Sequence, residues 1–320
     1  MTKKCLADKV AIITGGGRGL GRAFAEVFAQ EGAKIVVVSR TKREIDEVAG
    51  EISRRGGKAI AVQADVRDEF EVREMVRRTI STFSKIDILV NNAGMMGPLG
   101  PITEIRKEDW EEVLGVNVTG MFLCSREVLR YMILQNSGNI INISSGAGHR
   151  KNWRDVHSLS YHVSKFAVEG FTKALSVQMN FPAAELRGIT TLRCTGYAAQ
   201  LRFAAPPCDA APWGLCPLGP PESGCHSSPQ QSWGVFWHIL IKRYNIAVNA
   251  FSPGATDTQL IRSSLGESKD LQKPEEVVRA ILFLATQSAD TMTGESVDAR
   301  YYRFTNEVIL LPEETKFKLD

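Results

Sequence analysis

No apolar run in this 320-residue chain is long enough to cross a membrane, which argues against a membrane-spanning helix. An excess of one charge is also missing. Thirty-nine Lys and Arg stand against 36 Asp and Glu, for a net +3, and the basic residues are scattered. Neither a nucleic-acid footprint nor an anionic-lipid surface is read from that balance. No secretory leader is read from Met1-Thr2-Lys3-Lys4-Cys5, which leads almost directly into an apolar run. The tail Lys316-Phe317-Lys318-Leu319-Asp320 matches no retention or peroxisomal address, so the expected location is cytoplasmic. Paired cysteine spacing is absent too. Cys208, Cys216, Cys225 and His226 lack the close pairs of a zinc site, and disulfides would be unusual in a reducing compartment. No metal is expected.

What is present is alternation. Strand-like runs near 9–13, 34–38, 58–63, 86–90, 138–143, 245–251 and 295–299 interleave with helical runs near 19–31, 41–55, 68–83, 107–135, 160–180 and 274–286. That order predicts an α/β fold with a doubly wound parallel sheet. Ligands on such a sheet bind at the carboxyl ends of the strands. Arg40, Asn91, Ser145 and the Pro253-Gly254 turn all fall at those ends, which places the motifs in one cleft.

The first strand runs into Thr14-Gly15-Gly16-Gly17-Arg18-Gly19-Leu20-Gly21 and then a helix. Glycines let a backbone approach a pyrophosphate, and the helix N-terminus offers free N–H groups and a positive dipole. The bland alternative is a glycine-rich turn with no ligand. At the end of the second strand stand Ser39 and Arg40, with Arg18 and Lys42 nearby. A carboxylate at that place suits the 2′-hydroxyl of NAD, and a guanidinium suits the 2′-phosphate of NADP. The residues argue for NADP over NAD, with a solvated, helix-flanking Arg40 as the alternative.

Tyr161 and Lys165 are four residues apart at the start of a helical run and therefore share a face. A cation ~4 Å from a phenol contributes ~4 kcal/mol at an effective dielectric of ~20, roughly three pKa units. That would bring the phenolate towards neutral pH, where a general acid/base works. Alone, such a pair is usually a packed tyrosine beside a solvated lysine.

These motifs, with Asp65-Val66, Asn91-Asn92-Ala93-Gly94, Asn117, Ile143-Ser144-Ser145 and Ser252-Pro253-Gly254-Ala255-Thr256-Asp257-Thr258, resemble the short-chain dehydrogenase/reductase family. They occur in the family's order over about 1–180 and 242–298. The resemblance implies a Rossmann-like oxidoreductase domain that moves a hydride between NADP and a small carbonyl or secondary alcohol. In that reading Tyr161 exchanges the proton with the substrate oxygen and Ser145 holds that oxygen. Lys165 tunes the tyrosine and binds the nicotinamide ribose, and Asn117 positions a relay water. Gly15, Gly17, Arg18, Gly19, Leu20 and Gly21 cradle the phosphates, and Ser39 and Arg40 meet the ribose. Asp65 and Val66 meet adenine. Asn91, Ala93 and Gly94 line the cleft and steady the sheet. Pro253, Gly254 and Thr258 close over the carboxamide end. NADP leans the reaction towards reduction. Residues 95–106, 146–158 and 259–273 should wall the substrate, with the 146–158 stretch slightly longer than usual, and they do not name the substrate.

The domain is expected to span 1–320, interrupted at about 181–241. That stretch is rich in Pro, Gly, Ser and Trp and has no helical or strand period over most of its length. The family joins its active-site helix to the next strand by a short turn, so about 55 to 60 residues are extra. A disordered insertion, even one of unselected translated sequence, a folded binding module and a metal or disulfide site are the three readings. Loop entropy alone is tolerable: growing a connection from ~5 to ~60 residues costs roughly 2 kcal/mol against a stability of ~5–15. At the other end, Thr293-Gly294 begins the family's closing strand, but the last twenty residues have no clear role. A catalytically silent or misassembled variant acting as a binding protein is the alternative function.

The family forms homo-oligomers through helices that include the one leading into the insertion, so assembly is expected to be perturbed while the cleft survives. Light scattering on the full chain should therefore find no compact tetramer; a compact tetramer would contradict this.

Overall fold

A computed structural model describes residues 4–148, 158–180, 244–254, 256 and 274–299. The insertion expected at about 181–241, the loop residues 149–157, Thr258 and the last twenty residues lie outside the described residues. Met1–Met179 and Tyr244–Asp320 belong to one unit of the chain.

The described strands alternate with helices, with two helices between the fourth and fifth strands. They are β1 (Val10–Thr14), α1 (Gly19–Gln30), β2 (Lys34–Ser39), α2 (Lys42–Arg54), β3 (Lys58–Gln63), α3 (Glu69–Phe83) and β4 (Ile88–Asn91). Then come α4 (Lys107–Leu114), α5 (Met121–Gln135), β5 (Gly138–Ile143), α6 (Leu159–Asn180), β6 (Ile246–Ser252), α7 (Pro274–Ala285) and β7 (Ser296–Asp298). The sheet order is β3-β2-β1-β4-β5-β6-β7, and every pairing is parallel. The doubly wound sheet is as expected from the alternation of runs.

Strand sequences are nearly continuous in apolar residues because both faces are covered. Ala11 and Ile13 of β1, with Ile35 and Val37 of β2, pack on the side of α1, α2 and α7. Ile12, Val36 and Val38 point the other way, among residues of α3, α5 and α6. The period of two in each strand thus divides one apolar run between two cores. On the first side, the Phe24 and Phe251 rings meet edge to face with centroids 6.3 Å apart.

Between the cores, buried polar side chains lock helices to strands. Asn91 of β4 donates to Ser125 of α5 at 3.0 Å and to Asn142 of β5 at 2.9 Å. Asn142 in turn donates to Thr172 of α6 at 2.9 Å. A buried network of this kind fixes the register of the elements it joins, because leaving any member unpaired is costly.

The run expected to be one helix over 107–135 is divided. Gly115–Gly120 forms a π-helical turn between α4 and α5. Gly120 must lie close to Val66: a Cβ on it would sit 2.5 Å from Val66 Cγ2. π-turns inside helices recur at functional sites, and this one carries Asn117.

Phe24 is fully buried, so Phe24→Ala should cost about 3–5 kcal/mol in urea denaturation. A loss under about 1 kcal/mol would show that the two-ring contact does not anchor α1.

Candidate active site

The carboxyl ends of β1, β2, β4, β5 and β6 open into a cleft of about 400 Å³. Its phosphate end is built by the turn after β1. Gly15 has φ +63°, and a Cβ there would lie 2.9 Å from Ala93 Cα. Gly21 is tighter still, since its Cβ would come 2.3 Å from the Gly15 carbonyl oxygen. The turn is stitched to the loop after β4. The Thr14 hydroxyl oxygen accepts from the backbone N–H of Asn92 and of Ala93, both at 3.0 Å. The Asn92 amide donates to the Thr14 and Gly15 carbonyls at 2.9 and 3.1 Å. Arg18, at the N-cap of α1, gives no side-chain cap. The first N–H groups of α1 have no intrahelical acceptor and face this end of the cleft. A glycine turn that excludes side chains and an uncapped helix start fit the pyrophosphate of a dinucleotide.

At the opposite end, α6 places Tyr161 and Lys165 one turn apart. The Lys165 Nζ donates to the Ile143 carbonyl at 2.7 Å and lies 5.4 Å from the centre of the Tyr161 ring. Ser145 stands close enough to the Tyr161 hydroxyl to act on its ionisation. That placement supports the choice of Ser145 over Ser144, whose buried hydroxyl has no partner among the described residues.

The expected lowering of the Tyr161 pKa is reversed. Burial pushes the hydroxyl above its ordinary value of 10, against the pull of Ser145. Tyr161 is half-buried and lines the cleft, yet the dense surroundings dominate. Lys165 is itself drawn down to about 8 by burial, with the carboxylate of Glu169 opposing. Its ammonium is aimed at a carbonyl rather than at the phenol oxygen, so it gives the tyrosine little of the help that spacing alone promised.

Other predicted residues divide. Gly15, Gly17, Arg18, Gly19, Leu20, Gly21, Ser39, Arg40, Asp65, Val66, Ala93, Gly94, Pro253 and Gly254 line the cleft with Ser145, Tyr161 and Lys165. Asn91 does not; it is 7% exposed and committed to the network under the sheet. Asn92 lines the cleft in its place. Asn117 also stands behind the wall. Its side-chain oxygen accepts from Met95 N–H, and its amide donates to the Met95 carbonyl and the Ser164 hydroxyl, all at 2.9 Å. It braces the loop that carries Met95, itself a wall residue. Asp65 is held below the usual carboxylate range, chiefly by hydrogen bonds from the Arg67 guanidinium. Met95 falls in the 95–106 stretch expected to wall the substrate, and Glu44 and Val116 are wall residues that the motifs did not announce. The first-turn position of Glu44 on α2, close after Arg40, was the available signal. A separate cavity of about 250 Å³ lies at the far end of β2 and β3, away from every one of these groups.

The family model for short chain dehydrogenases matches residues 9–183. The chain belongs to the short-chain dehydrogenase family. It is an oxidoreductase of a family that binds a nicotinamide cofactor. The match stops close to where the extra segment was expected to begin. A 3-oxoacyl-[acyl-carrier-protein] reductase of Synechocystis is 41% identical over 175 residues, 54% of this chain and 69% of that protein. The crystal structure of a 3-ketoacyl-(acyl-carrier-protein) reductase from Brucella melitensis, complexed with NADH, has a TM-score of 0.65 at 27% identity, covering 92% of this chain and 97% of that one. A short chain dehydrogenase from Shigella flexneri, complexed with NADP, has the same fold, with a TM-score of 0.69 at 20% identity over 93% of this chain and 100% of that one. Among the described residues no helix is long and apolar enough to cross a membrane.

Lys165 predicts a pH effect on stability. Its folded value of about 8 lies below the ordinary 10.5, so the unfolded chain holds more protons between these values. Stability therefore rises with pH across that window, by about 3 kcal/mol in all. Cys124, pushed up to about 12 by burial, and Cys5, pushed up to about 11, oppose this contribution above about pH 9, and Tyr161, raised above 10, opposes it at the alkaline end. In urea denaturation from about pH 7.5 to 10, the stability of the wild type relative to Lys165→Met should rise with pH; parallel curves would contradict it.

Proposed function

We propose that the chain is an NADP(H)-dependent reductase of a small ketone or aldehyde, running the reverse oxidation of the secondary or primary alcohol when the cofactor ratio demands it. The observation that carries the reading is that Tyr161, Ser145 and Lys165 line one end of a cleft whose other end is a phosphate cradle. The nicotinamide, when bound, supplies or accepts the hydride.

The chain's own residues handle the proton and the substrate oxygen. With its pKa above 10, the Tyr161 hydroxyl keeps its proton at neutral pH. It is then in the correct state to donate that proton to a carbonyl oxygen gaining negative charge. Ser145, beside the same hydroxyl, offers a second contact to that oxygen and fixes where it sits. Lys165, bonded to the Ile143 carbonyl, holds this end of the cleft in place. A lysine near 8 is mostly protonated at neutral pH and titrates just above it, so it can also take part in returning a proton to Tyr161. Asn117 serves by holding Met95 and the cleft wall.

Arg18 and Arg40 line the ribose end and support the NADP preference. The 3-oxoacyl reductases among the relatives favour a ketone, and a β-oxoacyl thioester is the first compound class to screen.

Tyr161→Phe keeps the ring and removes the proton donor. Turnover of any ketone that the wild type reduces should fall by about 10²- to 10⁴-fold, with the dissociation constant for NADPH within about twofold of wild type. A variant that turns over at the wild-type rate would overturn the role of Tyr161.

A further inference from the structure

We infer that Glu44 is a specificity-determining residue at the ribose end of the cleft, where its carboxylate competes with a 2′-phosphate for Arg18. The inference rests on the proposed dinucleotide site and concerns which dinucleotide that site prefers.

The cations that argue for NADP do not stand alone. Arg18 Nη1 lies 4.0 Å from Glu44 Oε1, and Arg40 Nη1 lies 3.9 Å from Asp65 Oδ2. Two guanidinium charges at this end are thus matched by two carboxylates. The two pairs differ in kind. Asp65 takes its main hydrogen bonds from Arg67, at 2.6 Å from Nη2 and 3.0 Å from Nε, and Arg40 is its weakest electrostatic neighbour. Arg40 can turn to a phosphate and leave Asp65 satisfied. Glu44 has Arg18 as its ion-pair partner among the described residues.

Glu44 is also held where it matters. A Cβ placed on Gly17 would be 2.8 Å from Glu44 Cβ and 3.0 Å from Oε2, and 3.3 Å from the Ser39 hydroxyl. The carboxylate therefore lies directly against the glycine turn and beside the end of β2. Its place in the first turn of α2 is favoured by the helix dipole, which resists its swinging away. A 2′-phosphate brought to Arg18 enters the field of this carboxylate and loses part of what the guanidinium offers. A 2′-hydroxyl meets no such repulsion and finds an acceptor. Glu44 thereby narrows a preference that the arginines alone would make wide.

Equilibrium titration of the full chain with NADPH and with NADH, followed by nucleotide fluorescence, tests this. The wild type should bind both, with NADPH favoured by no more than about tenfold. Glu44→Gln should widen that ratio by about tenfold, through tighter NADPH binding with NADH unchanged or weaker, and the gain should shrink as salt is raised. Glu47→Gln makes the same charge change on α2, at a carboxylate paired with Arg22 at 3.1 Å and outside the cleft wall; it should leave the ratio alone. Equal shifts of both constants in Glu44→Gln, no shift in either, or an equal widening in Glu47→Gln would overturn the inference while leaving the dinucleotide site intact. A wild type that binds neither nucleotide would overturn the inference and the proposed function together.

Discussion

Lys165 donates a 2.7 Å hydrogen bond to the carbonyl of Ile143, the last residue of β5, and this contact sets where the active-site end of α6 lies relative to the sheet. With Lys165 pinned, Tyr161 one turn earlier is carried over the strand end to meet Ser145. A buried ammonium without an acceptor would be far too costly to keep. The same demand that stabilises the lysine therefore also aims the tyrosine. The helix is tied a second time, two turns further on, by the hydrogen bond from Asn142 to Thr172. Two polar anchors on one helix face leave little freedom in its rotation or in its position along the strand.

The remaining parts of the cleft follow from the parallel sheet. All strands point the same way, so each strand ends at the same edge and hands its following loop to the same space. Thr14 and Asn92 turn this general property into a specific one, since they bind the loops after β1 and β4 to each other. The glycines then answer a local demand. Side chains at 15 and 21 would collide with the backbone of this stitched pair.

Much of this was legible in the chain. The apolar runs of β1 and β2 are continuous because both faces are covered, and their spacing from the helical runs gave the sheet its class and direction. The glycine turn and the Tyr161–Lys165 spacing are local patterns, and local patterns survive without tertiary context. What escaped depends on neighbours distant in sequence. The π-turn around Asn117 is shaped by Gly120 against Val66 and by Asn117 against Met95. Asn91 ends a strand where the motif implies a cleft residue, but the partners at Ser125 and Asn142 draw its side chain underneath. The direction of the Tyr161 shift was reversed because spacing reports proximity and not where an ammonium points. Glu44 has no motif of its own, and its weight comes from the fold bringing it against Gly17 and Arg18.

The central claim is that this chain assembles a working dinucleotide cleft even though its sequence departs from the family between α6 and β6. Titrating the full chain with NADPH, followed by the change in nucleotide fluorescence, tests that claim most directly. A saturable, one-site response is the predicted result. Flat fluorescence up to millimolar protein-bound or free nucleotide would show that the strand ends do not converge into a cleft, and the assigned chemistry would fall with it.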